Sequence, residues 1–523
     1  MIQWCTTWRN NKHKAAFPLL IIIIIFTTGL LLYNNSGGCM TKTQISVDNQ
    51  AVIGEVPREL FSSFIEHIGR AIYTGIYQPE HHLADEDGFR TDVISLVKEL
   101  NVPYVRYPGG NFVSGYNWKN GIGDKAKRPV LPDLAWKQLE PNQVGVDEFI
   151  TWAEKVGAEP VMAVNMGTGT PQEALELLEY CNGNAGYWAD LRKQNGREEP
   201  YHIKYWCIGN EMDGEWQIGH ISAEEYAQKA KTTARMMKSF DPSVKLIFCG
   251  SSDFIMPTFP AWDKCVMNEC FDVIDYISAH KYYRYDKTKP EAIADFIRSC
   301  KDLDRGLTAV RNAIAEVRAE HNNAKPIYIS LDEWNVWYMG EGTDINDVWS
   351  VGPRREENIY TSLDATVFAS LFSTIINHCD NVKMACVAQL VNVIAPIYTI
   401  KDGGAIRQTI FYPYKLLSSL IKGKAFRCDA TDTLQVSFVA DEQTGEAVML
   451  VCNLSDKETA VTVKFNDLLY IPYEQIGMKG SPTVKNTAED PFSAVPFTKT
   501  IQATDEIILE GYSWNVFKLK IKK

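Results

Sequence analysis

Trp206-Cys207-Ile208-Gly209-Asn210-Glu211 and Ile329-Ser330-Leu331-Asp332-Glu333-Trp334-Asn335 are two apolar, strand-like runs, each reaching a carboxylate flanked by Asn and Trp. Parallel α/β barrels present their chemistry at the C-terminal ends of their strands, so carboxylates in this position point to such a barrel. Outward from these runs, residues 55–424 alternate short β-rich stretches with longer amphipathic ones. Candidate strands end near Glu66, Tyr107, Asn165, Glu211, Gly250, His280, Glu333 and Gln389. Thr170 to Cys181 reads as a helix with Thr170 as N-cap and Pro171 in the first turn. Ser222 to Phe240 opens on a capping-box pattern, with Glu225 three residues after Ser222. Pro290 to Glu320, broken near Gly306, and Glu356 to Cys379 also show helical spacing. This alternation predicts an α/β fold, a (β/α)₈ TIM barrel. An open doubly wound sheet would alternate similarly, but no Gly-rich fingerprint follows the first strand.

Beyond Lys424 the pattern changes. Leu434 to Val439, Ala447 to Val451 and Ala460 to Phe465 are short β-branched runs separated by polar turns, with no helical period. They predict a C-terminal all-β sandwich domain. Gln44 to Ile53 also reads as a strand, expected to join that sheet. The expected division is residues 1–40 as a leader, 41–54 as an N-terminal strand of the sandwich, 55–424 as the barrel and 425–523 as the sandwich.

The 523 residues exceed what one simple core organises, and 45% hydrophobic with 23% charged residues is ordinary for a soluble enzyme. A net charge of -12 argues against nucleic acid or an anionic membrane surface as partner. Arg9, Lys12 and Lys14 precede an uncharged apolar run from Ala15 to Tyr33 that includes Ile21 to Ile25. That is the pattern of a signal peptide or membrane anchor. It predicts export to a periplasmic or membrane-anchored location, with a cytoplasmic location as the alternative. Membrane contact would run through this segment only. Ser36-Gly37-Gly38-Cys39 resembles a lipoprotein cleavage site, although Ser36 stands where an aliphatic residue is usual; an unmodified linker thiol is the other reading. Twelve cysteines without a C-x-x-C pair do not make a disulfide scaffold. Cys207, Cys249 and Cys386 read as core residues, and Cys265 with Cys270 could be bridged after export.

Two strand-end carboxylates on one barrel are the minimal equipment for cleaving a glycosidic bond. Glu211, beside Trp206 and Trp216, has the partly desolvated setting that raises a general acid, and Asn210 could bind a sugar hydroxyl. Glu333, held among polar neighbours, suits nucleophilic attack on an anomeric carbon. Taken singly, either would more often be a surface glutamate, Gly109-Gly110 an ordinary turn and His280 a structural histidine. Trp118 and Trp337 could be core, or aromatic faces for a sugar at the barrel mouth. The Glu140 to Asp147 stretch offers no recognisable chemistry. No metal-ligand spacing, P-loop, dinucleotide fingerprint or G-x-S-x-G elbow is present, so neither a metal nor a cofactor is expected.

Arg106-Tyr107-Pro108-Gly109-Gly110-Asn111-Phe112-Val113-Ser114-Gly115-Tyr116-Asn117-Trp118 resembles a signature of glycoside hydrolase family 51, the α-L-arabinofuranosidases. Three further stretches do so in the family's order: Gly209 to Gly214 followed by Trp216 to His220, Asp332 to Trp337, and Ala388 to Pro396. The resemblance implies a retaining, exo-acting hydrolase that releases terminal α-L-arabinofuranosyl residues from arabinan, arabinoxylan or derived oligosaccharides. An endo-β-glucanase or xylanase on the same scaffold is the alternative. It implies Glu211 as acid/base and Glu333 as nucleophile. Glu66, Asn111, Asn210 and Gln389 would bind sugar hydroxyls, and His280 and Tyr282 would orient the nucleophile, with Trp337 also at the sugar. It further implies a homo-oligomer, hexamers being frequent in the family.

Overall fold

The structure is a computed structural model that describes residues 41–467, 469–502 and 506–522. The leader and the Cys39 reading therefore lie outside the described residues, among which no helix is long and apolar enough to cross a membrane.

Eight parallel strands close into a barrel in simple chain order. They are β1 (Ser62–Phe64), β2 (Tyr104–Tyr107), β3 (Glu159–Ala163), β4 (Tyr205–Ile208), β5 (Lys245–Phe248), β6 (Tyr276–Tyr283), β7 (Tyr328–Val336) and β8 (Val382–Ala388). The barrel expectation thus holds, because each apolar run is too short to be anything but a strand buried on both faces. The N-cap read at Thr170 and the capping box read at Ser222/Glu225 are formed, and Glu173 completes a second box with Thr170. Two helix readings change. The break expected at Gly306 falls instead at Ile297–Arg298, and the helix Ser299–Glu320 runs straight through Gly306. The glycine is there for packing: a Cβ would lie 2.1 Å from the Phe254 ring. The helix expected from Glu356 begins only at Ser362, capped by Thr361 with Asp364, and ends at Asn377. Glu356 has φ 48°, which no continuing helix tolerates.

Nine strands form the second sheet, ordered Phe497–Thr500, Tyr470–Lys479, Ser513–Ile521, Glu446–Asn453, Leu434–Asp441, Lys424–Asp429, Thr41–Glu55, Thr459–Phe465 and Ile507–Leu509. Thr41–Glu55 pairs antiparallel with Lys424–Asp429 and parallel with Thr459–Phe465. Period-two alternation explains how this sheet serves two cores. Val436, Phe438 and Ala440 face the sandwich interior, whereas Val439, with Val448 and Leu450 of the next strand, joins the barrel's core. The helix Ser362–Asn377 lies between the two and is buried on every side, as a helix without a polar face must be. Its Phe368 and Phe372 rings sit 5.0 and 4.7 Å from Trp334. Such pairs contribute about 0.5–1.5 kcal/mol each beyond burial. They pin Trp334 to the helix shell, which fixes how β7 presents its neighbour Glu333. Cys265 and Cys270 are separate thiols, with Cys270 buried against the Ala227 carbonyl.

Candidate active site

At the C-terminal end of β7 the register slips. Ser330 pairs with Ser278 of β6, but the next pair is Glu333 with His280, so β7 carries one extra residue. A bulge of this kind re-aims side chains. Here it turns Asp332 into the barrel, where it accepts from Ser278 Oγ at 2.6 Å, and lifts Glu333 to the mouth. At the end of β4, Glu211 adopts φ 45° after Gly209 at φ 92°, a left-handed turn that brings its carboxylate inward. Oxygens of Glu211 and Glu333 then lie within 4.8 Å of each other. Gly110 permits this crowding, since a Cβ there would fall 2.9 Å from Glu333 Oε1.

The two carboxylates are held differently. Glu333 Oε1 accepts from Arg106 Nη1 at 2.8 Å, and Oε2 from the Tyr282 hydroxyl at 2.8 Å. Glu211 Oε1 lies 2.8 Å from His280 Nδ1, and Oε2 accepts from the Trp216 indole N–H at 2.8 Å. His280 was expected to orient the nucleophile. Its Nδ1 is instead closer to Glu211 than to Glu333, which stands 3.6 Å away, and its Nε2 is 3.2 Å from Asp332. Asn210 is buried with its amide engaged, accepting from Arg106 at 2.7 Å and approaching Asn111 at 3.4 Å. Asn210 and His280 therefore stand behind the cavity rather than on its wall. The wall is formed by Phe64, Glu66, Gly110, Asn111, Trp136, Glu211, Tyr282, Glu333, Trp337, Glu356 and Gln389, among others. Trp118 is elsewhere, packed on Tyr180 and Trp188 at a neighbouring cavity.

Burial raises the Glu211 carboxyl, and the Glu333 charge adds to the effect, against opposing hydrogen bonds from His280 and Trp216. Burial likewise pushes Glu66 up to about 8, although Phe112 N–H and Trp136 N–H both donate to it. Asp332 moves the other way. Its burial is outweighed by His280, Arg106 and Ser278, which keep it ionised. Burial opposes the charge on His280, but Glu333, Asp332 and Glu211 hold the imidazolium well above the ordinary histidine range.

Several members of this site went unassigned in the sequence. Arg106 is fully buried and lies over the Phe64 ring at 4.7 Å. Its signal was a charge inside an apolar strand. Replacing Arg106 with alanine would leave buried Glu333 and Asp332 with His280 as their one remaining cation, a change that costs about 3–5 kcal/mol. The urea midpoint should fall accordingly, and lysine should rescue only partly because it cannot reproduce the planar fork. Trp136 sits in a hairpin, Leu131–Asp133 with Gln138–Glu140, that no periodicity announced. Glu140, in the stretch read as chemically silent, accepts from His67 at 2.7 Å beneath that hairpin. Glu356 accepts from the Trp337 indole at 2.7 Å.

Ligand atoms of Glu211, His280 and Glu333 come close enough together to hold a metal. Arg106, Tyr282 and Trp216 already donate to the two carboxylates, however, and the reaction needs both of them. Activity should therefore survive dialysis against EDTA; loss that added Zn²⁺ restores would make the trio a metal site.

Residues 96–300 match the α-L-arabinofuranosidase 1 domain model, and residues 332–513 match the α-L-arabinofuranosidase C-terminal domain model. An intracellular exo-α-(1→5)-L-arabinofuranosidase of Bacillus subtilis is 42% identical over 92% of this chain and 99% of its own. Among solved structures, a family 51 α-L-arabinofuranosidase from Bifidobacterium longum superposes with TM-score 0.88 at 40% identity, over 92% of this chain and 99% of that one. The chain belongs to glycoside hydrolase family 51. A Thermotoga maritima α-L-arabinofuranosidase solved with arabinose gives TM-score 0.81 at 34% identity, over 92% of this chain and 100% of that one. A bifunctional glucanase-xylanase shares the fold alone, at 12% identity and TM-score 0.57. The arabinofuranosidase reading therefore stands over the endo-glucanase alternative.

Proposed function

We propose that this arabinofuranosidase releases terminal α-L-arabinofuranosyl residues from arabinan, arabinoxylan or their oligosaccharides with net retention, through a covalent arabinosyl-Glu333. The observation that carries this reading is the approach of the Glu211 and Glu333 oxygens to within 4.8 Å. Inverting enzymes keep about 6.5–9.5 Å between carboxyls to admit a water. In the first step a Glu333 oxygen attacks C1 while Glu211 delivers its proton to the departing glycosidic oxygen, and the C1–O bond breaks. In the second, Glu211 takes a proton from water, the hydroxyl attacks C1, and the ester to Glu333 cleaves.

Charge supports this division of labour. Three carboxyls (Glu211, Asp332 and Glu333) face two cations (Arg106 and His280), so the cluster is neutral when one carboxyl is protonated. Glu211 is raised and Asp332 lowered. Once Glu333 is esterified its charge is gone, which removes one cause of the rise at Glu211 and lets it serve as base. Glu66, Asn111, Gln389, Trp136 and Trp337 surround a narrow cavity suited to one furanose and to exo action. Relatives are named for exo action on α-(1→5) and α-(1→6) linkages. Hydrolysis of a nitrophenyl α-L-arabinofuranoside, with none of a nitrophenyl β-cellobioside, is the expected assay result; the reverse would refute it.

The homo-oligomer is proposed with it. Exposed Leu134, Ile345, Val348 and Trp349 lie on two segments joined by the Trp349 N–H to Lys137 carbonyl bond of 2.9 Å, an apolar rim that water disfavours. Light scattering on the native enzyme tests it. Export gains no support from relatives named intracellular, which favours the cytoplasmic alternative. Cell fractionation should find the full-length chain in the cytosol; recovery with membranes would restore the export reading.

A further inference from the structure

Trp216 is more than half exposed, yet its indole N–H is fixed 2.8 Å from Glu211 Oε2. The backbone beneath it is tied down. Gly214 N–H donates to the Glu211 carbonyl at 2.9 Å, Gln217 N–H to the Gly214 carbonyl at 3.0 Å, and the Gln217 side chain to Ser114 Oγ. The ring packs close against Gly214, where a Cβ would come within 2.5 Å of its Cε2 and Cζ2. An exposed side chain on a tied loop thus covers the outward-facing oxygen of Glu211, while His280 holds the other. That oxygen is the one not committed to the barrel interior, and so the one that must reach a departing sugar.

We propose that Trp216 is a positioning residue that occupies Glu211 Oε2 while no leaving-group sugar is bound and yields that oxygen when one docks. The proposal rests on Glu211 being the acid/base. A hydrogen bond donated to a carboxylate favours its charged form. With the indole in place Glu211 is biased toward the base; displaced by an incoming sugar, the indole ceases to oppose protonation, and the acid forms where its proton is needed. When the sugar leaves, the indole returns and favours the carboxylate that activates water. The charged or titratable groups that act on Glu211 are His280 and Tyr282 from β6 and Glu333 from β7, none of them exposed, while Glu215 and His220 lie exposed in its own loop. Of the side chains that donate to Glu211, Trp216 is the exposed one and so the partner a docking sugar can move.

Trp216→Phe keeps an aromatic ring at the position but removes the indole N–H together with its five-membered ring. On an arabino-oligosaccharide, whose alcohol leaving group needs the proton, the alkaline limb of kcat/KM should move up by about half to one pH unit, an exposed bond being discounted for solvent. Gly214→Ala, which pushes the ring away without removing it, should shift the limb in the same direction. A stacking role alone would raise KM and leave the limb in place, and an unshifted limb in Trp216→Phe overturns the proposal. Glu211→Ala run alongside separates the failures. If it does not discriminate between good and poor leaving groups, the Glu211 assignment falls and this proposal with it. If it does, and the Trp216→Phe limb stays put, only the role of Trp216 is lost.

Discussion

Glu333→Ala should lower turnover by on the order of 10⁴- to 10⁶-fold, the scale on which removal of a nucleophile acts. Nothing nearby can replace it. Asp332 is turned into the barrel and bonded to Ser278, Glu66 is kept protonated near neutrality by a pKa of about 8, and Glu211 is needed for proton transfer. The variant should remain folded, because Arg106 keeps Asn210 and lies near Asp332, and Tyr282 is left facing the cavity. Azide is small enough to enter the space vacated, so it should restore cleavage and give the inverted, β-configured arabinosyl azide. Near-normal activity in the variant, or a retained azide product, would remove Glu333 from the mechanism.

How much of this was legible in the sequence depended on the type of signal. Strands were readable because residues buried on both faces must be apolar, and the helix starts at Thr170 and Ser222 were readable because capping is local chemistry. Gly306 misled for the opposite reason. Its role is set by Phe254, far away in sequence, and local propensity alone reads it as a break. The paired carboxylates were visible as strand ends, but the bulge that separates the directions of Asp332 and Glu333 was not, since register is a property of two strands. For the same reason the contacts of His280 were anticipated toward one glutamate and found closer to the other. Trp136 reaches Glu66 from a hairpin carrying no period at all, and only folding brings it there.

Glu211→Ala is expected to act unequally on different substrates, and that inequality is its diagnostic. With an alcohol leaving group the first step should slow by about 10²- to 10⁴-fold, the usual contribution of a general acid. A nitrophenolate leaves without help, so its first step should be spared. The second step needs a base whatever the leaving group was, so deglycosylation should slow for all. Nitrophenyl substrate should then give a burst followed by a slow steady state, with KM lowered along with kcat. Azide needs no base; it should accelerate the second step and yield the retained α-azide, opposite in configuration to the Glu333→Ala product. The pH profile supplies an independent check. A raised carboxyl stays protonated to higher pH, and activity on oligosaccharides falls as pH climbs through its pKa. That alkaline limb should disappear in Glu211→Ala. Equal first-step losses for nitrophenyl and oligosaccharide substrates, or survival of the limb, would assign the proton to another group.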